Sequence, residues 1–180
     1  MIKAISNIDE LNRIIRHQLM LQSELDGSKV LNSVSSYGQN LDKLLQAAEY
    51  TSVVPSDNIL LFELTTRSSD AEVSYMMNDK IQYDRAYLIK VIIYGNNSSD
   101  IMNKLVGRFR TEKVRYSLQQ EGVYLESIDP SGPINEFKND RMWIRNDCDI
   151  NIYCRNEIDE LNPSDDFESF DGLTVVVKEK

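Results

Sequence analysis

The chain has 180 residues, 41% hydrophobic and 27% charged, with a formal net charge of -9. That length supports one domain with its own core. The acidic balance argues against tight, sequence-independent DNA binding, which needs clustered Lys and Arg. No run approaches the ~20 apolar residues of a membrane span.

The N-terminal MIKAISNIDELN has no apolar signal core and no small-residue cleavage pattern. Ser6 or Asn7 can cap a helix there, and Asn7 with Glu10 has the cap-plus-acid spacing. Ile8, Leu11, Ile14, Ile15 and Leu19 then recur at helical intervals, which predicts a helix ending near Leu25. Lys29 to Gly38 reads as a loop. Gln39 or Asn40 opens a short second helix with Leu41, Leu44, Leu45 and Ala48 inward. Pro55 to Asn58 is a turn, and Ile59 to Thr66 is a strand with a buried centre. Val73 to Met77 pairs weakly with Lys80 to Tyr83 around Asn78-Asp79.

Tyr83 to Gly95 is a long strand. Tyr87, Ile89, Val91 and Ile93 lie on one face, and Ala86, Leu88, Lys90, Ile92 and Tyr94 on the other. Both faces are apolar at the centre, so both expect cover. Ser98 or Ser99 caps a helix over 98–118, and Gly122 ends it. Val123 to Ile128 is a short strand, residues 129–133 a sharp loop, and residues 135–140 a polar link anchored by Phe137. Arg141 to Arg155 alternates well. Met142, Ile144, Asn146, Cys148, Ile150, Ile152 and Cys154 form its core face. Trp143, Arg145, Asp147, Asp149, Asn151, Tyr153 and Arg155 form its wet face. An acidic linker at 159–171 precedes a terminal strand at 173–177. The whole is read as one domain over 1–180, with an N-terminal helical region at 1–50. Its class is α/β in the α+β sense: a small mixed, mainly antiparallel sheet packed with helices.

Reactive constellations are sparse. His17, the single histidine, sits inside the first helix and reads as a surface or groove residue. Cys148 and Cys154 share a strand face too far apart for a disulfide, so buried free thiols of a reducing compartment are expected. Asp147 and Asp149 share a face with Arg145 and Arg155, which favours ion pairing over a metal or acid–base pair. Asp165, Asp166 and Glu168 lack calcium-loop spacing. Gly95 precedes a helix without the second glycine or lysine of a phosphate loop. No metal, cofactor or catalytic residue is expected. A local basic feature stands out: Lys104, Arg108, Arg110, Lys113 and Arg115. Positions 104, 108 and 115 share one face of the predicted helix, suited to pairing with acids of a neighbouring copy.

The strand YLIKVIIYG, the helix SSDIMNKLVGRFRTEKVRYSL, the short strand GVYLES and the strand beginning MWIRNDCDINIY follow in that order. From Leu60 to Ile158 this region resembles the tail-terminator, or neck-terminator, proteins of tailed bacteriophages. The resemblance implies a helix packed on a small mixed sheet and a homo-oligomeric ring, of six copies, at the head–tail junction of the virion. It implies as partners a tail tube protein and a neck or head-completion protein, with genomic DNA passing through the lumen without specific binding. No enzymatic residue, cofactor or membrane is implied. The expected interface is Lys104, Arg108, Arg110, Lys113 and Arg115 on the helix, with Trp143, Arg145, Asp147 and Asp149 on the strand. Two alternatives remain: a head-closure or tail-completion protein of the neck, and a small α/β nucleic-acid-processing enzyme. The enzyme would need convergent acids beside a basic wall, or a phosphate loop.

Overall fold

The computed structural model describes residues 4–5, 7–32, 53–67, 74–77, 80–138 and 140–159. The expected helix near 39–48, the linker from 160 to 171 and the strand at 173–177 lie outside the described residues. Helix α1, Ile8–Ser23, starts as its sequence dictates. Asn7 is extended, and its Oδ1 accepts a 2.9 Å hydrogen bond from the Glu10 amide, which satisfies one of the free N–H groups at a helix start. Leu11, Ile14, Ile15 and Leu19 form its buried stripe. It stops where Glu24 turns left-handed, at φ 61°, and returns its N–H to the Met20 carbonyl.

Among the described residues seven strands form one sheet: β1 (Val30–Asn32), β2 (Ile59–Thr66), β3 (Ser74–Met77), β4 (Lys80–Tyr94), β5 (Val123–Pro130), β6 (Ile134–Lys138) and β7 (Arg141–Asp159). Their order is β1-β2-β4-β7-β5, with β3 on β4 and β6 on β7. Only β1–β2 is parallel, so the sheet is mixed and mainly antiparallel, as its alternation predicts. The spine is the β4–β7 pair, in register from Lys80↔Asp159 to Tyr94↔Arg145. β2 and β3 divide the outer edge of β4 between them. β5 and β6 divide the outer edge of β7, and Ile5 bridges Asn156 beyond them.

Several boundaries differ from the sequence expectation. Val30–Asn32, expected within a loop, pairs with β2 as strand β1, and β5 runs on to Pro130, into the loop expected at 129–133, because its last residues still pair with β7. β4 begins at Lys80 because its first residues hold both β3 and the end of β7, which therefore continues to Asp159. Residues 135–140 are not simply a link: Ile134–Lys138 pairs with Arg141–Arg145 as a hairpin. Its polar composition hides it, since an edge hairpin outside the core needs little apolar alternation. Phe137, expected as an anchor, is 68% exposed.

The expected single helix is two, α2 (Ser98–Phe109) and α3 (Glu112–Gln120). Thr111 makes the break. Its hydroxyl donates to the Arg108 carbonyl at 2.6 Å and accepts from the Val114 amide at 3.5 Å, so one side chain closes α2 and caps α3. Nor is a serine the cap of α2: the cap residue is Asn97, which makes no side-chain cap bond. Ser98 instead donates to the Ile144 carbonyl at 3.0 Å and accepts from Asn146 Nδ2 at 2.9 Å, pinning α2 to β7. Gly95, at φ 133°, is required before it, because a Cβ there would collide with the backbone and side chain of Asn58.

The three α-helices among the described residues cover one face. Leu11, Ile15, Leu19, Leu105, Phe109 and Leu118 meet Phe62, Tyr87, Ile89, Val91, Ile93, Ile150 and Ile152 there. Each such large side chain contributes ~1.5–3 kcal/mol when fully buried. The opposite face holds a smaller cluster of Ile59, Leu61, Ile92, Tyr94 and Trp143, against which Leu31 and Val53 pack. Tyr94 and Trp143 meet edge to face, with centroids 6.3 Å apart.

Candidate interaction surfaces

The break at Thr111 divides the basic residues. Lys104 and Arg108 lie on α2, and Arg115 lies on α3, so the three do not share one helical face. Lys104 and Arg108 are already engaged. Both bind the Glu24 carboxylate at the end of α1, Lys104 at 3.3 Å, and Arg108 also donates to the Gln22 carbonyl at 3.0 Å. The Arg108 hydrogen bond, seconded by that from Lys104, holds the Glu24 carboxyl below its usual pKa. These cations complement the negative carbonyl end of α1. Sequence spacing had no means of finding Glu24, which is 84 residues away from Arg108. Arg110, Lys113 and Arg115 are exposed, and Arg110 reaches the Ile128 carbonyl at 3.4 Å.

The strand residues also separate. Trp143 is fully buried within the chain and offers no surface. Arg145 forks onto Asp147 at 2.6 and 2.5 Å and donates to Glu136 at 2.8 Å. The Asp147 hydrogen bonds raise the Arg145 pKa further, against the opposing effect of burial. Arg155 binds Asp84 at 3.3 Å, not Asp149. Asp149 is exposed and sits in a row of charges across the sheet, Glu63↔Lys90↔Asp149↔Asp129. Asp129 and Asp149 are directly opposed, an unfavourable pairing of like charges that solvent screens. The wet face expected of β7 therefore exists from Asp147 onward, and the Trp143 end is core.

Met142, expected on the core face of β7, and Phe137, expected as an anchor, both lie at the surface, because the β6–β7 hairpin extends past the helix-covered core. Phe137 and Met142 are opposed across the β6–β7 hairpin and are 68% and 56% exposed. The Asn139-Asp140 dipeptide in the sequence, between two short alternating runs, was the available signal of a hairpin. Hollows also flank Gln18 between α1 and α3; His17 lines one of them, consistent with its reading as a groove residue.

The cysteines are buried and unpaired. Burial pushes the Cys148 thiol up to about 12 and raises Cys154 as well, so neither is a thiolate nucleophile at neutral pH. Among the described residues no group of three or more His, Cys, Asp or Glu side chains is placed to hold a metal ion. No described helix is long and apolar enough to cross a membrane.

The family described as phage neck terminator protein matches residues 28–180, which includes every strand of the sheet and both α2 and α3. Comparison with curated proteins gives no match.

Proposed function

The chain belongs to the phage neck terminator protein family, and on that premise we propose that it is a structural virion protein whose copies close into a six-membered ring at the head–tail junction. The ring ends the tail tube and joins it to the neck. The observation that carries this reading is the family match over residues 28–180. The surface supports an assembly role. A closed ring needs two different surfaces on one chain. Exposed Arg110, Lys113 and Arg115 lie on the helix layer, and the mixed-sign row through Lys90 and Asp149 lies on the other side of the sheet. The exposed Phe137–Met142 pair adds apolar area of the kind that contacts bury. The ring's two rims meet a tail tube protein and a neck or head-completion protein. Genomic DNA passes through the lumen unbound, as the acidic balance of the chain favours.

Native mass measurement together with labelling of intact particles tests this. The expected result is a six-copy mass and a label where the tail meets the capsid. A monomer absent from particles, or a label on the capsid shell or the distal tail tip, overturns it.

A further inference from the structure

Exposed charges on the two sides of the molecule stand in opposite order. On α3, Val114 and Leu118 face the core, and Glu112, Arg115 and Tyr116 face outward. Glu112 and Arg115 share that outer face, ~4.5 Å apart along the axis at 1.5 Å per residue. On the far side of the sheet, Lys90 and Asp149 are cross-strand neighbours, and Asp129 lies beyond Asp149 in the same row. Adjacent strands are ~4.8 Å apart. The helix therefore runs minus then plus at nearly the interval at which the row runs plus then minus.

These charges are not used up inside the chain. Lys90, Glu112, Arg115 and Asp149 are all exposed, and their side chains enter no hydrogen bond or ion pair among the described residues. Asp149 also faces Asp129 directly, a like-charge pairing that solvent alone screens. Asp129 accepts from the Ser127 hydroxyl at 2.8 Å, which brings no positive charge. Arg115 of the same chain lies on the other side of the sheet, in the helix layer. A cation arriving from a second chain relieves the repulsion.

We propose that α3 of one copy lies across β4, β7 and β5 of the next, with Glu112 against Lys90 and Arg115 against Asp149 and Asp129. The guanidinium fork suits two adjacent carboxylates. Tyr116, 64% exposed beside Arg115, and Leu88, half-buried two positions from Lys90 on the same face, supply the apolar part of the contact. The two surfaces differ, so each copy offers one to each neighbour, as a closed ring requires. The contact rests on the ring reading above and names the residues that meet in it. Exposed ion pairs contribute little singly, so these charges set partner and register more than strength.

The test uses two variants of the full chain, Arg115→Glu and the pair Asp129→Asn with Asp149→Lys. All three positions are exposed, and circular dichroism checks that each variant is folded. Native mass measurement follows assembly at low salt. Alone, each variant sets like charges against each other at every contact, and the concentration for half-assembly is expected to rise about tenfold or more. Mixed in equal amounts, with one nitrogen-15-labelled, the two are expected to regain the parent's assembly as rings holding equal numbers of each. Every contact then joins either the two parent surfaces or the two reversed ones. High salt is expected to shrink both effects. Arg115→Gln and Asp149→Asn are smaller changes that serve where a reversal does not fold, each expected to weaken assembly about threefold. Variants that assemble alone as the parent does, or a mixture no better than its components, overturn the contact while the ring stands. A parent chain that stays monomeric overturns the ring reading and the contact with it.

Discussion

The two faces of the sheet bury side chains to different ends. The helix-covered face is one continuous core, running from Ile5 and α1 across β2 and β4 to Cys154. The opposite face has a five-residue cluster at one end and charge beyond it. β7 contributes to that second face along its whole length, yet Trp143 is fully buried, Arg145 and Asp147 are partly buried, and Asp149 is exposed. Alternation along a strand determines side, not depth. Depth depends on what else lies over that stretch of the sheet. At Trp143 the cover includes Tyr94, Ile92, Leu31 and Val53, which sequence distance from β7 conceals.

The comparison breaks first at Phe62, fully buried between strands and helices. Phe62→Ala is expected to cost about 3–5 kcal/mol through lost transfer energy and a cavity. At ~2–4 °C per kcal/mol that lowers Tm by roughly 10 °C. Fluorescence of Trp143, the only tryptophan, follows the unfolding. A loss below about 1 kcal/mol would mean the helix-covered face is not the main source of stability.

The smaller cluster should respond less. Trp143 Nε1 is buried without a hydrogen-bond partner among the described residues. Trp143→Phe loses indole contacts but relieves that unsatisfied N–H, so the two effects oppose each other. The expected net cost is about 1 kcal/mol or less, measured by urea unfolding followed by circular dichroism. A cost matching that of Phe62→Ala would erase the distinction between the faces.

Much of this was legible in the residues, and the failures share a cause. The faces of β4 were readable because Tyr87, Ile89, Val91 and Ile93 alternate within one strand. Asn7 was readable as a cap because its partner Glu10 is three residues away. The helix break at Thr111 was missed although T-E-K-V carries a cap signal, because the apolar stripe continues on both sides through Phe109 and Val114. Among candidate site residues, Arg110, Lys113, Arg115 and Asp149 lie at the surface. Lys104, Arg108 and Trp143 are occupied by partners distant in sequence. Charge and aromatic character suggested exposed recognition there, while the fold pairs the two cations with Glu24 at its own surface and buries the indole.

Glu24 provides the finest test of that pairing within the chain. It is the acid shared by Lys104 and Arg108, and it ties the end of α1 to α2 outside the apolar core. Its folded pKa is depressed, chiefly by the Arg108 hydrogen bond. A depressed carboxylate pKa adds stability that is present above the unfolded value, ~4.3, and lost as pH falls through the folded value. The carboxylate is fully exposed, so solvent screens the effect and makes it the smallest of the three. Glu24→Gln should therefore be slightly less stable than the parent at pH 7. The gap should narrow as the pH drops through the region below about 4, where the parent's own carboxylate takes up a proton. Added salt at pH 7 should narrow it too. Paired urea titrations at pH 7 and pH 3 measure both gaps. A gap that widens on acidification has the wrong sign for a carboxylate held by two cations and overturns that role for Glu24.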